Sequence, residues 1–530
     1  MEFMETETDE EEMDSDSDYE PILNSILFHD RESGYGGYRG SSNTRRSYIL
    51  LVLQNLVGSG LIEYEGDGFA RKLPKIQGKQ TTDALVRNDF YQSVMRASGQ
   101  TARRQPWNVA QMLSERQHVR SWTTAQKCKM SSLYVPNVKE GVAMKYDSKV
   151  FCGSFTPNGK HFVTACQEGE IRVYDATASG IKPGYKLVNT LLGRDVEWSI
   201  LDMDFTPDGQ EFVYATRSCC LHVGNLHGRS SDIMCIPFDE YSMHKFASYS
   251  VQFANGGREL IAGCSDGAVS VYDRDRCAWT ERALEDNMEV NAVRLLEGNS
   301  HILCAGSDDG TIRIYDRRAM AVKSRGSVGM FVGHLDGVTS IDVKNDGRYF
   351  ITNSKDQTIK LWDVRVTSKE SQIQEFAAGK RDAFRDWDYR WNTVPPSYYK
   401  VNELPGDTSV MSYRGHRVFK SLIRAKFSPA STTGQRYIYT GCGTGYLVMY
   451  DALTGEMVQA IRGHSNIVRD VAWHPHRSEI LTSSWDCNVN LYSYKAEGWK
   501  KENKSARSGV TLRRSLRIAN RNRRNQSDIS

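Results

Sequence analysis

His334, Ser354 and Asp356 stand in an order that could polarise a hydroxyl, and His464, Ser484 and Asp486 repeat it. A His–Ser–Asp set in a cleft would activate a nucleophile. Each set here is followed by its own aromatic residue, Trp362 or Tyr492. A set repeated in separate units reads as a hydrogen-bond network that ties strands together, not as one centre converging on a substrate. Gly263-Cys264-Ser265-Asp266-Gly267 matches the G-x-S-x-G elbow, which requires a helix after the serine. Ala268-Val269-Ser270-Val271-Tyr272 follows instead, with the alternation of a strand. There is no P-loop and no HExxH. The chain is therefore read as non-enzymatic, with no catalytic residue, cofactor or metal ligand assigned.

The eleven cysteines include no C-x-x-C; Cys219 and Cys220 are adjacent and the rest are single, mostly beside small or apolar residues. That spacing argues against zinc and disulfides and for buried free thiols in a reducing compartment.

The remaining chemistry-bearing motif is aromatic–Asp–x–Arg. It occurs as Tyr315-Asp316-Arg317-Arg318 and Trp362-Asp363-Val364-Arg365. One arginine after a strand is an ordinary solvated charge. Two at equivalent positions of neighbouring units would share one face, and paired arginines on a rigid platform suit a protein interface. A third match, Trp387-Asp388-Tyr389-Arg390, lacks a preceding strand and is out of register.

These motifs sit on a recurring unit. Five-residue alternating segments end at 175, 225, 273, 316, 363, 451 and 493, with gaps of 50, 48, 43, 47, 88 and 42. Most follow a short turn and an earlier strand. Four-stranded propeller blades repeat every 40–45 residues or so, with Gly-His and aromatic–Asp marks. Gly333-His334, Gly415-His416 and Gly463-His464 supply the first mark. The expected fold is all-β, a seven-bladed WD-repeat propeller over 145–494. The long gap is one blade plus an insertion at about 367–413.

Residues 1–45 read as an acidic, Gly/Ser-rich disordered tail and 46–130 as a short helical extension. Its helices are expected over Arg46–Val57, from Thr81 to Ala97 with Thr82 as N-cap, and from Pro106 towards Gln117. Residues 495–530 read as a basic disordered tail. Residues 1–20 carry eleven Asp/Glu and no Lys/Arg, while 495–530 carry eleven Lys/Arg against three acids, so the net charge of +3 hides opposite ends. The best apolar run, Tyr48 to Val57, is too short to span a membrane. The acidic start excludes a secretory signal, so a soluble intracellular protein is expected.

The paired boxes resemble those of WD-repeat substrate receptors of cullin-4 RING ubiquitin ligases. The segments Gly193–Asp202, Asn353–Asp363, Asp386–Trp391 and Ser483–Asp486 are similar to the WD-repeat protein 23 family, also called DDB1- and cullin-4-associated factor 11. The likeness covers about 150–494, and Tyr315 departs from the usual Trp while the Asp and Arg are kept. The resemblance implies a receptor that docks on the DDB1 propeller adaptor, and through it on cullin-4, using Tyr315, Asp316, Arg318, Trp362, Asp363 and Arg365. It implies as substrate a cap-n-collar bZIP transcription factor of the oxidative and xenobiotic stress response. The nucleus, and also the cytoplasm, is then the expected location, with the basic run Leu512 to Arg524 as a candidate import signal. No direct nucleic-acid or membrane partner is expected. The competing reading is a non-ligase WD-repeat scaffold for histones or RNA; against RNA, Trp499 is the one stacking aromatic in the basic tail.

Overall fold

The computed structural model describes residues 83–99, 122–132, 134–177, 185–238, 246–284, 288–320, 326–380, 387–390 and 404–496, with single positions at 73, 114, 117, 392 and 394. Both tails and the expected helices at 46–57 and 106–117, apart from positions 114 and 117, lie outside the described residues. No helix among the described residues is long and apolar enough to cross a membrane.

Seven antiparallel four-stranded sheets make up the described chain. Six follow chain order. Their third strands end at Asp175, Asn225, Asp273, Asp316, Asp363 and Asp451, and the corresponding strand of the seventh sheet ends at Ser493. These are the seven positions that the alternating segments mark. The first strand of each sheet packs on the first strand of the next, and Val468–Trp473 returns to Val150–Phe155, so the ring is closed.

Closure uses a strand from the far end of the propeller sequence. Val138–Lys145 (β1) pairs antiparallel with Asn488–Ser493 and becomes the outermost strand of the seventh blade. The ring thus begins at Val138, ahead of the boundary expected at 145.

Alternation along each strand places apolar side chains between blades. Ile312 and Ile314 of blade four meet Ile341, Phe350 and Trp362 of blade five in one buried cluster. Val269 and Val271 of blade three likewise meet Val293, Leu303 and Tyr315 of blade four. The innermost strands carry charge instead. Arg424 of blade six reaches Asp470 of blade seven at 3.0 Å and Asp202 of blade two at 2.7 Å, which staples non-neighbouring blades across the axis.

The insertion in blade five holds a helix, Glu370–Lys380, where a loop is expected. Its last residues return as the fourth strand, Met411–Arg414, paired with Thr358–Asp363.

In place of one helix from Thr81 there are two, α1 (Asp83–Arg87) and α2 (Asp89–Ala97). Asn88 breaks them apart. Its backbone is extended, and its side chain accepts the Phe90 N–H at 2.9 Å as the N-cap of α2. A further helix, α3 (Thr124–Ser131), has Thr123 and Gln126 as a reciprocal capping box. Leu85, Phe90 and Val94 are fully buried with Tyr349, Ile351, Met411 and Phe427. The Cys128 thiol of α3 donates to the Ala430 carbonyl at 3.3 Å. Gly434 has φ 62°, and a Cβ there would meet the backbone of Ala97 and Ser98 at 2.5–2.7 Å. Only glycine lets the end of α2 approach blade six so closely.

Candidate protein-interaction face

Because strands within a blade alternate in direction, the first-to-second and third-to-fourth turns gather on one face, and the other turns gather opposite. The aromatic–Asp marks close the third strands and so belong to the first face. The Asp carboxylate accepts the N–H two residues on: Thr177 on Asp175 at 2.8 Å, Asp275 on Asp273 at 2.9 Å, and Leu453 on Asp451 at 2.9 Å. Arg318 donates to Asp316 and Arg365 to Asp363 in the same way, each at 3.1 Å. Asn225 does this for the degenerate second blade, through the His227 N–H at 2.8 Å. The motif is thus an Asx turn that starts the outer crossover.

In blades four and five the residue two positions after the Asp is thrown outward by that turn. Arg318 is 67% exposed and Arg365 59%. Each guanidinium folds back on its own carboxylate: Arg318 Nη2 on Asp316 at 2.6 Å, and Arg365 Nη2 on Asp363 at 3.3 Å. The side chains are therefore oriented, yet their outer edges face solvent. Arg318 holds the Asp316 carboxyl below the usual carboxylate range.

Of the other members of the boxes, only Asp316 is partly exposed. Tyr315 and Trp362 are buried, and Asp363 is 2% exposed. Arg318 and Arg365 are the box side chains most open to solvent, while Tyr315 and Trp362 anchor the strands that carry them. Asp316 and Asp363 set the turns.

Sequence reasoning missed three residues around the boxes. Arg317, between the box positions, is buried and clasps Glu259 at 2.8 Å and Glu281 at 2.9 Å on blade three. Arg348 pairs with Asp363 at 2.8 Å and burial by these groups makes Asp363 the floor of the site. Asp89, at the start of α2, then bridges Arg348 at 2.9 Å and Arg365 at 3.4 Å. A signal for Arg317 was present, since Arg274 occupies the same place after Asp273 and reaches back to Glu211. None existed for Asp89.

The blade networks form as hydrogen-bond relays inside the sheets. His334 Nδ1 donates to Asp356 at 2.9 Å, and its Nε2 accepts the Thr352 hydroxyl at 2.6 Å. Trp362 Nε1 donates to the same Thr352 oxygen at 2.8 Å. Ser354 stands aside, donating to the Asp336 carbonyl and accepting the Asp356 N–H. The second network repeats this through His464, Asp486 and Thr482, with Ser484 again bonded to the turn backbone. Thr352 and Thr482, absent from the sequence reading, are the true links. Burial opposes ionisation of Asp356, but His334 and Thr358 outweigh it and hold the carboxyl far below its usual range. His334, Ser354 and Asp356 are all nearly or fully buried, where no substrate reaches them.

Ser265 of the G-x-S-x-G match lies in the turn between strands Glu259–Cys264 and Ala268–Asp273 and accepts the Ala247 N–H. Trp387-Asp388-Tyr389-Arg390 forms the same Asx turn, with the Arg390 N–H on Asp388 at 2.8 Å. Its Tyr389 ring is buried against the Lys355 ammonium at 4.6 Å.

Comparison with known proteins follows the same lines. The WD domain, G-beta repeat family matches residues 144–175, 281–316, 325–363 and 455–493. The DDB1- and CUL4-associated factor 11 homolog of Caenorhabditis briggsae is 32% identical over 74% of this chain and 72% of its own length. The homolog of Caenorhabditis elegans is 36% identical over 68% of this chain and 63% of its own length. The LEC14B protein of Lithospermum erythrorhizon is 32% identical over 71% of this chain and 79% of its own. The chain belongs to the LEC14B and DDB1- and CUL4-associated factor 11 family. The WD-repeat matches take in the first three strands of both arginine-bearing blades of this factor 11-type propeller and end on Asp316 and Asp363, two positions short of Arg318 and Arg365. The second sheet and the first three strands of the third and sixth lie outside them and complete the ring with the same turn chemistry.

Proposed function

We propose that this chain is a non-catalytic substrate receptor of a cullin-4 RING ubiquitin ligase that docks on the DDB1 adaptor through Arg318 and Arg365. The observation that carries this reading is the pair of outward, pre-oriented guanidiniums on adjacent blades of one face, in a family whose members are named for association with DDB1 and cullin-4. Arginine held by its own carboxylate loses little freedom on binding, which suits a hot spot. The opposite face, with its own set of turns, is left for the substrate. On the family resemblance, that substrate is a cap-n-collar bZIP factor of the stress response, met in the nucleus.

The test is co-precipitation of the adaptor and cullin with the full chain and with an Arg318→Ala/Arg365→Ala double variant. Loss of a hot-spot arginine costs on the order of 2 kcal/mol, about thirtyfold in affinity. The folded double variant is expected to lose the adaptor. Undiminished capture, or capture of histones or RNA in its place, overturns the reading. Accumulation of the bZIP factor when the chain is depleted tests the substrate separately.

A further inference from the structure

Blade two gathers a ligand set that the cysteine spacing conceals. His222 on the third strand, Cys220–Asn225, lies directly opposite Cys235 on the fourth, Met234–Pro237. Cys220 lies on the same side of its strand as His222, two residues away and next to the Cys235 pairing, with its thiol outside the tight cluster of donor atoms. Asp195 comes from the loop that enters the blade and places its carboxylate 3.0 Å from His222 Nε2. The donor atoms of Asp195, His222 and Cys235 all lie within 4.8 Å of one another.

The surroundings favour a held set over a chance meeting. The His222 imidazole is fully buried and stacks on Tyr214 at 4.8 Å and 7°. Its Nδ1 makes no hydrogen bond with any described residue. Asp195 adopts a left-handed backbone, φ 51°, and its carboxylate reaches the His222 ring. Cys235 and Asp195 are exposed, so the open side faces water. Six cysteines, Cys128, Cys152, Cys166, Cys264, Cys304 and Cys442, are buried as apolar thiols; Cys219, Cys220 and Cys235 are not.

We propose that Cys220, Cys235, His222 and Asp195 form a binding site for a thiophilic divalent cation of the zinc class. Two thiolates, an imidazole nitrogen and a carboxylate oxygen make a four-coordinate set of the kind that selects zinc over hard cations. Bonds of about 2.0–2.3 Å put tetrahedral ligand atoms roughly 3.3–3.8 Å apart, so Asp195, His222 and Cys235 adjust by up to about an ångström and the Cys220 thiol swings in to join them. Rotation of the exposed Cys235 and Asp195 side chains supplies that movement. Binding displaces the thiol protons of Cys220 and Cys235 to solvent and inserts the cation between His222 Nε2 and Asp195. The cation then clasps the two outer strands of blade two to the loop from blade one.

The experiment titrates the reduced, metal-stripped full chain with cobalt(II) and follows the visible bands of tetrahedral cobalt and the ultraviolet thiolate band. One equivalent is expected to bind, zinc is expected to displace it, and Cys277→Ser, an exposed cysteine elsewhere, is expected to bind as the wild type does. Cys235→Ser should abolish the thiolate band at an unchanged melting temperature of the metal-free protein. Should the variant fold poorly, peptide-resolved alkylation of the wild type with and without zinc gives the answer: protection confined to Cys220 and Cys235 supports the site. Absence of tetrahedral bands, equal loss in Cys277→Ser, or oxidation of Cys220 and Cys235 to a disulfide with no metal uptake overturns it.

Discussion

Asp89 and Arg365, 276 positions apart in sequence, meet at 3.4 Å on the rim of the fifth blade. The same carboxylate holds Arg348, so the first acidic residue of α2 sits against the guanidinium proposed to meet the adaptor. An exposed pair of this kind contributes about 0.2–1 kcal/mol. Asp89→Asn is expected to leave the melting temperature almost unchanged and to tighten adaptor binding by up to about fivefold, because Arg365 gives up a competitor. Titration calorimetry or surface capture with purified adaptor reads the change. Weaker binding would mean that Asp89 positions Arg365.

Phe90 fixes those helices to the ring, its ring 5.0 Å from Tyr349 in an edge-to-face contact. Phe90→Ala removes a fully buried aromatic and is expected to cost about 3–5 kcal/mol of helix docking. The loss should be local: protease cuts within 83–97 become fast while the blades keep their melting transition. Slow cleavage, as in the wild type, would refute the anchoring role.

Thr352 joins His334 to Trp362, so Thr352→Val strands two buried nitrogen groups at once. Each unsatisfied group costs about 1–3 kcal/mol. A loss of about 2–4 kcal/mol in urea unfolding is expected, with Thr352→Ser recovering most of it because the hydroxyl stays. Equal losses for Val and Ser would place the effect in the methyl group.

Burial drops the His416 imidazole to about 4, with its Nε2 on Asn353 and its Nδ1 on Tyr450. An unfolded histidine titrates near 6.5. Between those values the unfolded chain takes a proton that the folded chain refuses. This share of the stability is therefore complete above about pH 6.5 and is lost towards about pH 4, at about 1.4 kcal/mol per unit. Asp204 and Asp336, raised by burial to about 6, run the other way. They are common to wild type and variant and cancel in the difference. The stability gap between wild type and His416→Asn is expected to shrink by about 2 kcal/mol from about pH 7 to about pH 5. Parallel curves would sink the assignment.

The repeat was legible because five of the seven marked strands end in an aromatic that packs inward and an acid that caps a turn, and even Asn225 kept the turn. β1 was illegible for the opposite reason. As an outer strand its residues are mostly half-exposed, so VKEGVAMK shows no alternation. The split at Asn88 needed the extended backbone of one residue, which a helical pattern does not display. Arg318 and Arg365 could be found from their box, whereas the bridge from Asp89 to Arg348 and Arg365 could not. The metal ligands of blade two escaped because a sheet brings together what spacing rules look for within one loop.

β1 also decides where the propeller's two ends leave it. Asn137 Nδ2 donates to the Lys495 carbonyl at 2.9 Å, and the Lys495 N–H donates to Asn137 Oδ1 at 2.8 Å. Entry and exit of the ring are thus knotted side by side at one blade, although 358 positions separate them. The molecule is topologically ready for circular permutation: a short linker across this point, with new ends cut into a surface turn such as 274–277, should give the same closed ring. A chain starting after Lys145 would instead leave Asn488–Ser493 as a bare edge, open to pairing with a strand from another copy.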